Sequence, residues 1–124
     1  MPLTNAPDQL ELHLPLKPQW FHILLALSEE TLHGSGIVRS VLQETQGKVH
    51  LWPATLYGSL EDLAEFRWIE EVSEPEERPP GESEKKRFFR ITLAGARVLA
   101  AEAQRMHALA TTALTRLDAG ATTP

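Results

Sequence analysis

Hydrophobic positions change their spacing along the chain, and these changes divide it into segments. A largely apolar stretch from Pro18 to Leu27 predicts a first helix, because proline suits the first helical turn. The polar residues 29–33 are expected to end it. The next apolar positions form one helical stripe, Ile37, Val38, Val41 and Leu42. This spacing predicts a second helix that starts at Gly34 or Ser35, with Ser35 as the preferred N-cap and Gly47 as the C-cap residue.

A third helix is predicted from Pro53 to about Phe66. The alternation of residues 49–51 before it favours a short strand. Apolar residues then recur at intervals of four, three and three, which places them on one helical face: Leu56, Leu60, Leu63 and Phe66. Two short helices this close together are typical of a helix-turn-helix, a motif that binds nucleic acid.

A β-hairpin is predicted after the third helix. Residues 68–72 alternate between apolar and polar, residues 75–84 form a loop rich in proline, and residues 87–92 alternate again. A hairpin that follows three helices makes a winged helix-turn-helix. The predicted fold is therefore mainly α with a small β-hairpin.

The last helix carries a heptad pattern. Thr92 is suited to cap it, and its apolar residues are spaced four, three, four, three and four: Leu99, Ala103, Met106, Ala110, Ala113 and Leu117. No later segment covers this stripe, so we expect it to pack against its copy in a homodimer. The alternative is that the helix folds back on its own domain.

These segments divide the 124 residues into four parts. Residues 1–17 form an N-terminal arm, either mobile, a short strand or docked on a partner subunit. Residues 18–92 form the winged helix-turn-helix domain. Residues 93–118 form the dimerisation helix, and residues 119–124 form a flexible tail.

Composition excludes several classes of protein. The chain has no cysteine, so it has no disulfides and no thiolate metal site, and no His-x-x-x-His spacing suggests a metal ligand pair. We find no nucleophile–base motif and no phosphate-binding loop, and therefore expect neither an enzyme nor a cofactor. The longest apolar run, residues 23–27, is too short to cross a bilayer, and no signal peptide is evident. A cytoplasmic protein that does not enter a membrane is expected.

The net charge of −5 is unfavourable for a DNA-binding protein, so the distribution of charge matters more than its sum. Residues in the first turns of the third helix are expected to meet base edges: Thr55, Tyr57, Gly58 and Ser59. Alternatively, Thr55 only caps the helix and Tyr57 packs on the wing. Basic residues are expected to contact phosphates: Arg39, Lys48, His50, Lys85, Lys86 and Arg87. The alternative is a solvated face that balances the nearby glutamates, and for Arg90 the two interpretations are even.

Tryptophans suit flat ligands, and Trp20, Trp52 and Trp68 are candidates to line a ligand pocket. Trp20 is the best of them because it begins the apolar first helix. The alternative is that it belongs to the core.

In this order, the segments resemble the PadR family of bacterial transcriptional regulators. The resemblance rests on residues 21–27 (FHILLAL), 33–37 (HGSGI), 51–57 (LWPATLY) and 87–95 (RFFRITLAG), and covers about residues 18–117. It implies a homodimeric winged helix-turn-helix repressor whose third helix enters the major groove. It also implies release from DNA by a small aromatic or drug-like molecule.

The chain departs from this family at three points. Ala54 replaces the usual glycine after the proline, and Arg67 replaces the glycine that ends the recognition helix. Between Pro53 and Phe66 there is no lysine or arginine, whereas Glu61, Asp62 and Glu65 are present. Carboxylates near phosphates weaken binding to a duplex. We therefore carry two hypotheses, a DNA-binding repressor and a winged-helix protein-interaction module with weak or no DNA binding.

Overall fold

A computed structural model describes residues 12–73 and 86–122 of the chain. In chain order its elements are α1 (Pro18–Leu27), β1 (Leu32–His33), α2 (Gly34–Glu44), α3 (Pro53–Glu65), β2 (Ile69–Val72), β3 (Phe88–Ile91) and α4 (Leu93–Thr122). The predicted fold class is confirmed, since three helices precede a hairpin and a long C-terminal helix follows it. The predicted strand at residues 49–51 is wrong, because this segment contains neither helix nor strand.

The sheet has three antiparallel strands in the order β1-β3-β2. The hairpin pairs Ile69 with Ile91 and Val72 with Phe88. The sequence did not predict β1, whose two residues pair with Phe88 and Phe89. Two residues are too few to display a period, so this strand depends on its partner strand rather than on a local pattern.

One core joins the helices to the sheet. Its fully buried side chains come from every layer and include Ile23 and Leu24 of α1, Ile37 of α2, Leu63 of α3, Phe89 of β3 and Val98 of α4. Burying each such side chain contributes about 1.5–3 kcal/mol. The core thus fixes α3 against α1 and the sheet, and leaves the other face of α3 free.

The helices α2 and α3 end in the same way. After α2, the N–H of Gly47 donates to the carbonyl of Leu42 and that of Gln46 to Gln43; after α3, Trp68 donates to Leu63 and Arg67 to Ala64. Both are Schellman motifs. Gln46 and Arg67 occupy the left-handed positions, with φ of 55° and 66°. Gly47, one residue later, also has a positive φ, of 81°, which favours glycine at that position as well. The chain preserves the turn after α3 despite the arginine.

The start of α2 is the first of the two predicted positions, but the preferred serine cap is wrong. The helix begins at Gly34, with His33 in the N-cap position and no side-chain cap. Ser35 is therefore inside the first turn. Because β1 runs directly into α2, the backbone pairing of His33 sets the helix start in place of a capping hydroxyl.

The helix α4 has two different parts. Thr92 caps it as predicted, since its hydroxyl accepts the N–H of Gly95 at 3.1 Å. Its first turns pack on the core through Val98 and Leu99. Beyond Arg105, every residue whose side chain is described is exposed. The helix continues to Thr122, four residues past the predicted end.

The described end of the N-terminal arm packs on its own chain. Leu16 lies in the core, and its N–H donates to the carboxylate of Glu102 on α4 at 2.8 Å. Arg105 donates to the same carboxylate at 2.6 and 3.2 Å. These bonds, led by the one from Arg105, hold the pKa of Glu102 below its usual range although the side chain is only 3% exposed. Residues 1–11 lie outside the described residues.

Candidate nucleic-acid interface

The outward face of α3 changes character along its length. Residues at intervals of four, three and four form its outermost stripe, and they read Ala54, Gly58, Glu61 and Glu65. All four are exposed. The N-terminal half is therefore small and neutral, whereas the C-terminal half is acidic. The acidic half would repel the phosphates of a duplex, whereas the neutral half would not.

The two most distinctive sequence motifs meet in the structure. A Cβ atom at Gly34, the first residue of α2, would lie 2.7 Å from the hydroxyl oxygen of Tyr57 and 3.5 Å from Leu56. A side chain at position 34 would therefore displace the Tyr57 side chain where α2 meets α3. The Gly-x-Gly and Thr-Leu-Tyr blocks are thus adjacent in the fold.

Three of the predicted base-contacting residues are accessible on α3. Thr55 and Gly58 are exposed, and Tyr57 is 45% exposed although its hydroxyl group packs against Gly34. A Cβ atom at Gly58 would meet nothing within 4 Å. The internal packing of the chain therefore does not require glycine there.

Ser59 corrects the sequence prediction. It is only 4% exposed and lies on the buried face of α3 with Leu56, Leu60 and Leu63. Positions 56, 59, 60 and 63 are one helical face, so the serine faces the core and is not available to DNA. Phe66, predicted for that face, is instead 38% exposed.

Three basic residues lie near the start of α3 or on α2. Arg39 is on α2, and Lys48 and His50 are in the segment that leads into α3; all three are exposed. Within the part of the chain that the structure describes, neither Arg39 nor Lys48 forms an ion pair. His50 stacks on Trp52, with ring centroids 4.0 Å apart.

The two wing arginines that the structure describes form ion pairs within the sheet. Arg87 donates two hydrogen bonds to the carboxylate of Glu71, at 3.0 and 3.1 Å, and Arg90 donates one to Glu70 at 2.6 Å. Such pairs are expected under the alternative of a face that balances its glutamates, and phosphate contact by either arginine stays a prediction. Lys86 is exposed, whereas Lys85 and the predicted wing tip lie outside the described residues.

A cavity of about 480 Å³ separates the wing from α3. Tyr57, Glu61 and Glu65 line it from the helix, and Glu71, Arg87 and Phe89 line it from the sheet. The hydrogen bonding of Arg87 to the Glu71 carboxylate, which accepts from it, is the main cause that raises the pKa of Arg87, and charge interactions with Tyr57 and Glu61 add to it. Arg87 is thus the cation of an otherwise acidic cleft.

A second cavity lies between α1, the arm and α4. It has a volume of about 260 Å³, and its lining includes Phe21, His22, Glu102 and Met106. Nδ1 of His22 is buried without a hydrogen-bond partner among the described residues. Trp20 does not line this cavity but packs in the core against Phe66 and Trp68, as the alternative interpretation had it.

Sequence reasoning missed two features. Trp52 is 65% exposed at the N-cap position of α3, but the sequence placed it only among pocket candidates. The sequence did contain a signal for this exposed position. Trp52 stands directly before Pro53, where a side chain that caps the helix is preferred. The buried pair of Glu102 and Arg105 carried no signal, because a helical Glu-x-x-Arg spacing is common on exposed faces.

The described ranges offer neither a metal site nor a membrane-spanning helix. Residues 12–73 and 86–122 contain no group of three histidine or acidic side chains placed to hold a metal ion. Within the same ranges, the helices are too short or too polar to cross a membrane.

Comparison with known families gives a match over most of the chain. The family model described as the transcriptional regulator PadR-like family matches residues 23–101. This range includes α2, α3, the sheet and the first turns of α4. No curated protein is similar enough in sequence to count as a match.

Solved structures share the fold at low sequence identity. A transcriptional regulator from Clostridium thermocellum is 18% identical, with a TM-score of 0.64 over 91% of this chain and 97% of that one. A PadR family regulator from Clostridium difficile is 16% identical, with a TM-score of 0.65 over 79% and 96%. PadR from Bacillus subtilis, solved in complex with operator DNA, is 19% identical, with a TM-score of 0.57 over 68% and 46%.

Proposed function

The chain belongs to the PadR-like family of transcriptional regulators, and we propose that it binds double-stranded DNA as a cytoplasmic homodimer. In this proposal it represses transcription until a small-molecule effector releases it. It acts by binding and not by catalysis. A similar fold, that of PadR from Bacillus subtilis, was solved with operator DNA.

The observation that carries the proposal is the N-terminal half of α3. It is exposed, contains no carboxylate, and is flanked by Lys48 and His50. In a helix-turn-helix, the first residues of the recognition helix meet base edges in the major groove. Thr55, Tyr57 and Gly58 occupy these positions, whereas Arg39, Lys48 and Lys86 supply positive charge near phosphates.

The homodimer is supported by the exposed part of α4. Five of the six heptad positions are exposed, and only Leu99 packs partly on the core. Leu109, Leu114 and Leu117 are 58–69% exposed. A second copy of the helix would cover this stripe by heptad packing.

The effector is supported by the cavity of about 260 Å³ between α1 and α4. Phe21 and Met106 give it apolar walls, and His22 and Glu102 give it polar groups, which is the composition of a small-molecule site. Met106 also belongs to the heptad stripe. A ligand in this cavity would therefore act directly on the dimer interface.

The proposal is tested by fluorescence anisotropy with a labelled duplex from upstream of the chain's own gene. A scrambled duplex of equal length is the control, and both are titrated at 50 and 200 mM salt. We expect selective binding that weakens with salt, because phosphate contacts release counterions. Small aromatic compounds are then screened for the ability to reverse it.

The alternative is a protein-interaction module, and one observation favours it. The only wing arginines that the structure describes, Arg87 and Arg90, are paired with Glu71 and Glu70, and α3 contains no basic residue. If neither duplex binds at 50 mM salt while the chain is folded and dimeric, the alternative replaces the repressor.

A further inference from the structure

Trp52 is exposed, and its two sequence neighbours and the ring of His50 restrain it. Leu51 beside it is buried and anchors the segment, while Pro53 after it restricts the backbone. The ring of His50 stacks on the indole at a centroid distance of 4.0 Å and an angle of 35°. An exposed side chain with three such restraints loses little further freedom when it binds a partner.

The local structure does not explain why this residue is tryptophan. Trp52 is the N-cap of α3 and forms no side-chain capping hydrogen bond. Serine, threonine or aspartate would stabilise the helix start by about 1 kcal/mol. Trp52 is also absent from the core. Its large apolar surface is therefore available for an external partner.

The surroundings of Trp52 favour DNA as that partner. Residues 45–60 contain Lys48 and no aspartate or glutamate, in a chain with 17 acidic residues. Along the chain, Trp52 is followed within three residues by Ala54 and Thr55, which are exposed on α3. It therefore extends the neutral end of the recognition helix, which is the end expected to approach base edges.

We propose that the stacked pair of His50 and Trp52 reads sequence in the major groove, with the indole packed on the 5-methyl group of a thymine. This methyl group is the one apolar feature of the base edges in that groove, and aromatic and aliphatic side chains recognise it by contact. The inference rests on the proposed function and adds a specificity-determining residue to it.

The test replaces each thymine of the bound duplex in turn by uracil, which removes only the methyl group. At one position or a symmetric pair, we expect the wild-type chain to bind about three- to fourfold more weakly per methyl group lost. Trp52→Ala should weaken binding to the thymine duplex about tenfold and should no longer distinguish uracil at that position. Trp52→Phe should restore part of the discrimination.

The control variant is Leu93→Ala, which removes a side chain of similar exposure, 69%, at the start of α4. It should bind both duplexes like the wild type. Because Trp52 is exposed, Trp52→Ala should retain the circular-dichroism spectrum, melting temperature and sedimentation behaviour of the wild type.

Failure of the inference and failure of the proposed function give different results. If the wild-type chain binds no duplex, the proposed function is wrong. If the wild type binds selectively and Trp52→Ala binds equally well, only the inference is wrong. A loss in Trp52→Ala that is the same for thymine and uracil at every position, or that comes from a weaker dimer, also overturns it.

Discussion

Two surfaces of the chain expose large apolar side chains, and they differ in almost every other respect. At the start of α3 the exposed side chains are aromatic, Trp52 and Tyr57, and they lie near Lys48 and His50. Along the second part of α4 they are aliphatic, Met106, Leu109, Leu114 and Leu117. The first surface is short and begins at the turn into α3. The second extends along α4, with Met106 and Leu117 on the heptad stripe and Leu109 and Leu114 beside it.

This difference indicates different partners. A rigid aromatic surface without carboxylates suits a polyanion that displays base edges, whereas a long aliphatic stripe with alanines between suits an identical helix. Glu102 marks the boundary on α4. Its buried carboxylate ties the helix to the arm, and exposure becomes continuous beyond Arg105. Exposure alone does not identify a binding surface; its chemistry does.

The largest expected effect is on the α4 surface. Ala110→Glu places a charge on the heptad stripe and should weaken the dimer by at least about 100-fold, because the carboxylate would be buried without a partner. Affinity for a two-fold operator should fall with it. Sedimentation equilibrium measures the first effect and anisotropy the second.

Ala108→Glu is the matched control. Ala108 is equally exposed, but it lies two residues away, about 200° around the helix from the stripe. This variant should remain dimeric. If it dissociates as well, or if Ala110→Glu remains dimeric, the stripe is not the interface.

The next effect is expected on the α3 surface. Tyr57→Ala should weaken binding to the selected duplex by about 1–3 kcal/mol, the value of one good base contact, with little change for a scrambled duplex. Tyr57→Phe keeps the aromatic ring and removes only the hydroxyl group, which is the part of the side chain nearest Gly34. Titration of both variants against both duplexes gives the specificity ratio.

The stability of the Tyr57 variants has to be measured beside their binding, because the Tyr57 side chain also packs on α2. Equal losses on selected and scrambled duplexes would mean that the tyrosine only positions α3. A loss confined to the selected duplex would assign it to base contact.

The same two surfaces illustrate what a sequence reveals. The α4 stripe could be predicted because a helical period repeats over many turns. On α3 the sequence predicts the apolar face correctly for Leu56, Leu60 and Leu63. It places Ser59 on the exposed face, because a hydroxyl group suggests contact with DNA. The structure places it at the position that completes the 56, 59, 60, 63 face.

Contacts between residues that are distant in the chain could not be predicted from the sequence. Arg87 was expected to contact phosphate, but its partner Glu71 is 16 residues away and becomes adjacent only through the hairpin register. The strand β1 is formed by pairing with β3 alone. Leu16 and Glu102, which form a buried hydrogen bond, are 86 positions apart in the sequence. Local patterns therefore predicted the helices, whereas tertiary pairing determines which partners the charged side chains have.

A smaller effect is expected on the free energy of unfolding, and it should leave both surfaces unchanged. Arg67 occupies a left-handed position after α3, with φ of 66°, which disfavours any residue with a Cβ atom by about 1 kcal/mol or more. Arg67→Gly should therefore raise the free energy of unfolding by about 1 kcal/mol. Chemical denaturation measures it, and dimerisation should not change.

Ala64→Gly is the control for that substitution. Ala64 is exposed in the last turn of α3 and has a helical backbone, so glycine there should lower the free energy of unfolding by about 1 kcal/mol. Opposite signs for two glycines three residues apart would establish the left-handed strain. A loss of stability in Arg67→Gly would instead mean that the arginine side chain stabilises the turn.

The smallest effect concerns the cleft beside α3. Glu71→Gln removes the carboxylate that binds Arg87 and leaves a side chain of nearly the same shape. Exposed pairs of this type contribute only about 0–1 kcal/mol to stability, so the fold should persist while Arg87 becomes available to phosphate. The slope of log affinity against log salt should steepen by about 0.9.

The matched control is Glu70→Gln. It removes the same charge and releases Arg90 on the opposite face of the sheet, away from α3. If the two variants steepen the slope equally, the change reflects net charge; if only Glu71→Gln does, the duplex lies against the cleft between α3 and the wing.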